Sequence, residues 1–317
     1  MAVRGAGSER GAADGPLVEA AATVPVAQLR PYIARYTGYR LSGVPPATHA
    51  GLPSPYLTLI FSLDDPLTVA AHPDPAQAGG DYQTLAGGLH TAPALVTHEG
   101  RQSGIQVALS PLGARALLGV PAGELAGIDV EASDVCGRLA SEIQQRVQAA
   151  ATWQRRFAVL DEVLSRTLRS YRQDGGTDIS AEVGFAWRWL LDTKGTVHVA
   201  ALASETGWSA RHLRARFAAE IGLTPKAAAR VVRFDRARRL LYRRAAATTA
   251  ATTALGAAAT AAAQRTLDLA ALAAHCGFYD QAHMDGEFRA LAGAPPTIWL
   301  AREFRNFQAT AGAAVGG

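Results

Sequence analysis

The chain carries one helical design twice, and that duplication limits what it can fold into. Residues Val199 to Phe217 read VAALASETGWSARHLRARF, and Leu269 to Phe288, about seventy residues on, read LAALAAHCGFYDQAHMDGEF. Each copy has A-A-L-A, a glycine five residues after the leucine (Gly207, Gly277) and a closing phenylalanine with a histidine five residues before it (His212, His283). Each phenylalanine is followed five residues on by Gly222 or Gly293 and eight residues on by Pro225 or Pro296. The second copy holds one extra residue between glycine and histidine.

The physical content of the repeat is a helix, a tight turn and a second helix. Leu202 supplies the buried face of the first helix and its alanines allow close crossing. Gly207 stands where that helix must stop in a positive-φ turn. Ser209 is a good N-cap for the next helix, and Leu213 and Phe217, four apart, form its apolar side. An ordinary αα-hairpin has the same parts. Duplication favours the helix-turn-helix, whose second helix enters the DNA major groove.

The region from Phe185 to Phe304 resembles the DNA-binding domain of AraC/XylS-type transcriptional regulators. The segments carrying the likeness are G-W-S-A-R-H-L-R-A-R-F (207–217), I-G-L-T-P-K (221–226), R-F-D-R-A-R-R-L-L (233–241), C-G-F-Y-D-Q-A-H (276–283) and A-P-P (294–296). The resemblance implies two helix-turn-helix units joined by a linker helix, and double-stranded DNA as partner. It also implies contact with RNA polymerase, a cytoplasmic location, and an N-terminal domain for a small-molecule effector or homodimerisation. It implies no catalytic role, cofactor or metal.

Charge is distributed accordingly. The net charge is +4. Residues 177–317 hold 17 Lys and Arg against 11 Asp and Glu, whereas residues 1–176 hold 14 against 16. The basic excess sits with the repeats, as binding to a polyanion requires. Lysine occurs only at 194 and 226, so arginine, which can grip guanine or phosphate with two bonds, carries the charge. Cys136 and Cys276 are the only cysteines, too few for a disulfide framework or a cysteine-built zinc site. No apolar run is long enough to span a bilayer, and the N-terminus does not read as a signal peptide.

The expected fold class is α+β and multidomain: a small N-terminal β-sandwich or cupin-like domain with following helices, then an all-α domain with two helix-turn-helix units. Residues 1–16 and 309–317 read as disordered tails. The N-terminal domain is placed at 17–172, β-rich over 29–110 and helical over 111–172. A linker follows at 173–181, and the DNA-binding domain at 182–308. A Gly/Pro-rich loop is expected up to Pro55. Strands are expected over 56–63, 67–71, 84–89, 94–98 and 105–109. Asp64-Asp65-Pro66 reads as a turn. His49, His72, His90 and His98 invite a metal-cupin reading, but no pair has ligand spacing, and scattered loop or surface histidines fit better.

Ser110-Pro111 caps a helix through Leu117. Val135, Leu139, Ile143 and Val147 form one helical face, and Trp153, Phe157, Leu160, Leu164, Leu168 and Tyr171 another. These faces either cover the β-domain or make a dimer contact. Phe185, Trp189 and Leu190 are expected as the core face of the next helix.

In the recognition helix, 209–219, Arg211 and Arg214 share a face and are candidate base readers, with Gln281 in the second unit. Ser209, His212, Arg216, Arg230 and Arg233 are candidate phosphate contacts. The linker helix starts at Thr224-Pro225, and some of its arginines are expected to pair with Asp235 or Glu220. Ala245 to Gln264, twenty uncharged residues of mostly Ala and Thr, departs from the family and reads as an excursion or mobile loop. Where the first recognition helix has Arg214 and Arg216, the second has Asp285 and Glu287, so it is expected to add little affinity. Two other readings stand beside the regulator. One is a metal-dependent cupin-like enzyme domain fused to a DNA-binding module. The other is a repair regulator with an alkyl-accepting cysteine.

Overall fold

The structure is a computed structural model that describes residues 17–176, 179–255 and 268–303, with residues 248–255 described by their backbone alone. The expected tails, Thr177 of the linker and the part of the alanine-threonine run beyond Leu255 lie outside the described residues.

The N-terminal half is two antiparallel sheets. The strands are β1 (Leu17–Thr23), β2 (Ile33–Ser42), β3 (Ala47–Gly51), β4 (Leu57–Ser62), β5 (Leu67–Ala71), β6 (Gly80–Tyr82), β7 (Thr84–Gly87), β8 (Ala94–His98), β9 (Gln102–Leu109) and β10 (Asp129–Glu131). One sheet has the order β1-β2-β9-β4-β7-β10 and the other β3-β8-β5-β6. Alternation explains the strands: Leu57, Leu59 and Phe61 are buried on one face of β4, and Ile105, Val107 and Leu109 answer from β9. The strand expectations overlap β4, β5, β7, β8 and β9. They miss β1, β2 and β3, which occupy much of the expected loop and its approach; there Ile33 and Tyr36 are buried, β1 pairs along β2 from Leu17 to Thr23, and β3 pairs with β8 in the other sheet.

Helices α1 (Ala114–Leu118), α2 (Ala132–Cys136), α3 (Arg138–Ala149) and α4 (Trp153–Gln173) cover this domain. Gly137 interrupts the expected run of Val135 through Val147, so α2 and α3 are separate helices. Ile143, Val147, Phe157, Leu160, Leu164 and Leu168 are buried within the chain, so these faces serve the β-domain core. Tyr36 on β2 donates to Asp161 on α4 at 3.1 Å, and Trp153 lies against Gly38 of β2.

The second half is helical: α5 (Ala181–Asp192), α6 (Val199–Glu205), α7 (Ala210–Ile221), α8 (Pro225–Leu255), α9 (Leu269–His275), α10 (Gln281–Ala292), and a last helix over 296–303. The buried face of α5 is Val183, Ala186, Trp187 and Leu190; Phe185 is 40% exposed and Trp189 half-buried, so two of the three expected core residues are not central. The helix α8 corrects a second expectation, since it continues through the alanine-threonine run to Leu255. Alanine propensity over that stretch outweighs the threonines.

The apolar packing does not divide at the linker. One core runs from Leu29 through the β-domain and α4 into α5, α6, α7 and the start of α8, ending at Val232. A second core joins the later part of α8 to α9, α10 and Trp299, with Leu52 of the β-domain packed on it.

Candidate nucleic-acid interface

The two repeat copies have one geometry. Gly207 (φ 68°) and Gly277 (φ 79°) take the turn after α6 and α9 in a conformation that disfavours any residue with a Cβ. Ser209 Oγ accepts from the His212 amide at 3.2 Å, and Asp280 Oδ1 from the His283 amide at 2.7 Å, so α7 and α10 are each capped by a side chain. Both helices end on left-handed glycines, Gly222 and Gly293. Leu213 and Phe217 pack inward in α7, Met284 and Phe288 in α10. Trp187 meets Phe217 with ring centres 6.1 Å apart, and Phe288 sits between Phe234 (5.0 Å) and Trp299 (5.9 Å).

Arg211, His212, Arg214 and Arg216 are all exposed on α7, and Gln281 is exposed at the start of α10. None of these arginines has an ion pair among the described residues. The His212 ring lies edge-on to Trp208 at 4.5 Å. Ser209 is committed to its capping bond.

Two of the expected phosphate contacts are turned inward. Arg230 Nε donates to both oxygens of Glu287 at 2.9 Å, tying α8 to α10. Arg233 Nη1 donates to the Gly195 carbonyl at 2.7 Å, and its guanidinium lies over the Phe278 ring at 5.9 Å. Burial lowers its pKa. Both guanidiniums are thus engaged within the chain, Arg230 with one-third of its side chain still exposed. Asp235 takes Arg238 (2.6 Å) and Arg239 (2.8 Å), as expected, but Glu220 pairs with a residue outside the linker helix. Its partner is Arg115 of α1, through two bonds of 2.8 Å. Sequence spacing has no signal for that contact, since the two residues are 105 positions apart.

A cavity of about 790 Å³ opens between the β-domain and the second core. Its apolar walls include Ile60, Leu67, Val69, Leu85 and Val96, and its far wall is Arg238, Tyr242, Trp299 and Glu303. The histidines are not scattered on the surface: His49, His90 and His98 line this cavity, and His72 is buried beside it. Burial lowers the pKa of all three lining imidazoles; for His49 it falls to about 4, with His98 adding to the effect. The two rings are 6.3 Å apart. Among the described residues no three His, Cys, Asp or Glu side chains converge as a metal-ligand set. Burial also pushes the Cys136 thiol up to about 11, and raises that of Cys276. An alkyl-accepting thiolate needs the opposite shift.

Residues 22–131 match the model of a domain of unknown function, DUF6597. No curated protein matches the chain by sequence. Among solved structures, a 1.65 Å structure of ToxT from Vibrio cholerae is 11% identical over 84% of this chain and 97% of its own, with a TM-score of 0.45. ToxT of strain O395 gives 10% identity over 83% and 95%, and an unsaturated fatty acid-bound ToxT of strain SCE256 gives 9% over 90% and 95%, both with a TM-score of 0.45. Similarity at this level does not define a function, and the reading below rests on the geometry. No helix among the described residues is long and apolar enough to cross a membrane.

Proposed function

We propose that the chain is a sequence-specific DNA-binding transcription regulator of the AraC/XylS type, with an N-terminal domain that senses a small-molecule effector. One observation carries the reading. Two helix-turn-helix units of matching geometry share the linker helix α8, and the first presents an unpaired arginine face on α7. In this reading α7 enters the major groove, with Arg211 and Arg214 on base edges and Arg216 and His212 on phosphate. Ser209 contributes through the capped helix N-terminus, whose free amides and dipole favour a phosphate. Gln281 is the base reader of α10. Arg230 and Arg233 hold the two units together and leave the phosphate set. The cavity is the effector site, while RNA polymerase and a second copy of the chain are the further partners.

Mapping bound fragments genome-wide and measuring their affinity by gel shift tests the reading. Each good bidentate arginine–guanine pair is worth roughly 1–3 kcal/mol. The double variant Arg211→Ala, Arg214→Ala should therefore lose about 30-fold or more in specific affinity with an unchanged melting temperature. Unchanged affinity and sequence preference in that variant would sink the assignment.

A further inference from the structure

Among the polar atoms that line the cavity without a partner, an acceptor stands at one flank and donors at the other. At the β10 flank, Asp129 is only 8% exposed. Its Oδ2 receives His72 Nδ1 at 2.8 Å, and the Tyr82 hydroxyl meets His72 Nε2 at 3.0 Å. His72 thus spends both ring nitrogens, one on Asp129 Oδ2 and the other on the Tyr82 hydroxyl. Asp129 Oδ1 accepts no hydrogen bond among the described residues. The space beside it exists because residue 87 is glycine: a Cβ there would stand 2.4 Å from Oδ1.

At the other flank the orphans are donors. The Trp299 indole N–H and Arg238 Nε are buried and unpartnered. Arg35 on β2 lines the same wall and makes no hydrogen bond or ion pair among the described residues; its Coulombic neighbours are Arg239, Asp235 and Arg238. Glu303 also lines this wall, and burial raises its pKa against the pull of Arg238. Strands β2 and β10 are four positions apart in the sheet, roughly 19 Å along it at about 4.8 Å per strand. Between them the lining mixes the apolar Ile60, Leu67, Val69, Leu85 and Val96 with Thr58, Gln102 and Gln106.

Buried polar atoms lining a cavity are satisfied by whatever fills it, and a few such groups fix a ligand's orientation. We infer that the cavity takes an elongated bipolar ligand: an acidic group on Arg35, Arg238 and Trp299, an apolar body, and an amine or other cationic donor on Asp129. This deepens the effector reading above and rests on it.

Titration calorimetry on the full chain tests the polarity with 8-aminooctanoate and 12-aminododecanoate, set against the plain carboxylate and the plain alkylamine of each length. The amino acid of at least one length should bind tenfold or more tighter than both its controls. Asp129→Asn should erase the advantage over the carboxylate, and Arg35→Gln the advantage over the amine. A carboxylate that binds as tightly as its amino counterpart overturns the inference, and so does the absence of binding by every compound. The wild-type series decides the matter even where a variant fails to fold. Gel-shift affinity for mapped DNA is read separately. Ligand binding without DNA binding removes the regulator reading and leaves the bipolar cavity; DNA binding without ligand does the reverse.

Discussion

At the scale of single residues, Glu287 shows how a charge changes meaning once its partner is known. In sequence it is a carboxylate where a recognition helix would meet phosphate, and its removal should leave binding equal or tighter. In the structure its carboxylate is 11% exposed and both its oxygens accept from Arg230 Nε, so Glu287→Ala strands a half-buried guanidinium. We expect a loss of about 2–3 kcal/mol, below the full cost of breaking a buried pair because Arg230 is one-third exposed, with no gain in DNA affinity. Urea denaturation with parallel gel shifts checks both. Asp285→Ala, which breaks no ion pair, should leave DNA binding equal or tighter. The cavity histidines give a pH dependence of definite sign. His49 titrates near 4 folded against 6.5 unfolded, so the unfolded chain takes up the proton first. Its contribution is fully present above pH 6.5 and is lost as pH falls from 6.5 to 4, and His90 and His98 act in the same direction. Denaturation midpoints should drop between pH 7.5 and 5, and His49→Gln should reduce that drop; an unchanged slope in the variant would contradict the burial of this imidazole.

At the scale of elements, the linker helix is the feature that composition misled. Its 31 residues from Pro225 to Leu255 reach about 46 Å at 1.5 Å per residue. Ala250→Pro should therefore remove measurable far-UV helical signal and cost up to about 3 kcal/mol of local helix stability. The variant should leave the α7 reading face intact; no change in helicity would show that this stretch is not helical in solution. The repeat, by contrast, was legible to the residue. Both glycine turns, the Ser209 cap and both phenylalanine anchors fall where the spacing puts them, because each is a local requirement of backbone geometry or a one-turn contact; the Asp280 cap of the second unit is a finding of the structure.

At the scale of the whole molecule, the first helix-turn-helix unit is built onto the N-terminal β-domain. Arg115 clamps Glu220 at the end of α7, and Gly123 lies so close that a Cβ would stand 2.1 Å from the Ala219 carbonyl. Arg115→Ala leaves a buried carboxylate unpaired. We expect about 2 kcal/mol of destabilisation, discounted for the partly exposed arginine, and Glu220→Gln in that background should restore part of it. Additive losses in the double variant would mean that the pair is not coupled. Gly123→Val should separate α7 from the β-domain, seen as a second thermal transition. The second unit belongs to another core and meets the β-domain across the cavity.

The sequence by itself determined the two helix-turn-helix units, the Ser209 cap, the basic half of the chain and five of the strands. Those follow from periodicity, turn chemistry and composition, which act over a few residues. Only the tertiary structure decided that Arg230 and Arg233 face inward, that Glu220 answers Arg115, that Phe185 is at the surface and that three histidines share a cavity. Each of these depends on which distant segment arrives opposite a side chain, and no local pattern encodes that arrival.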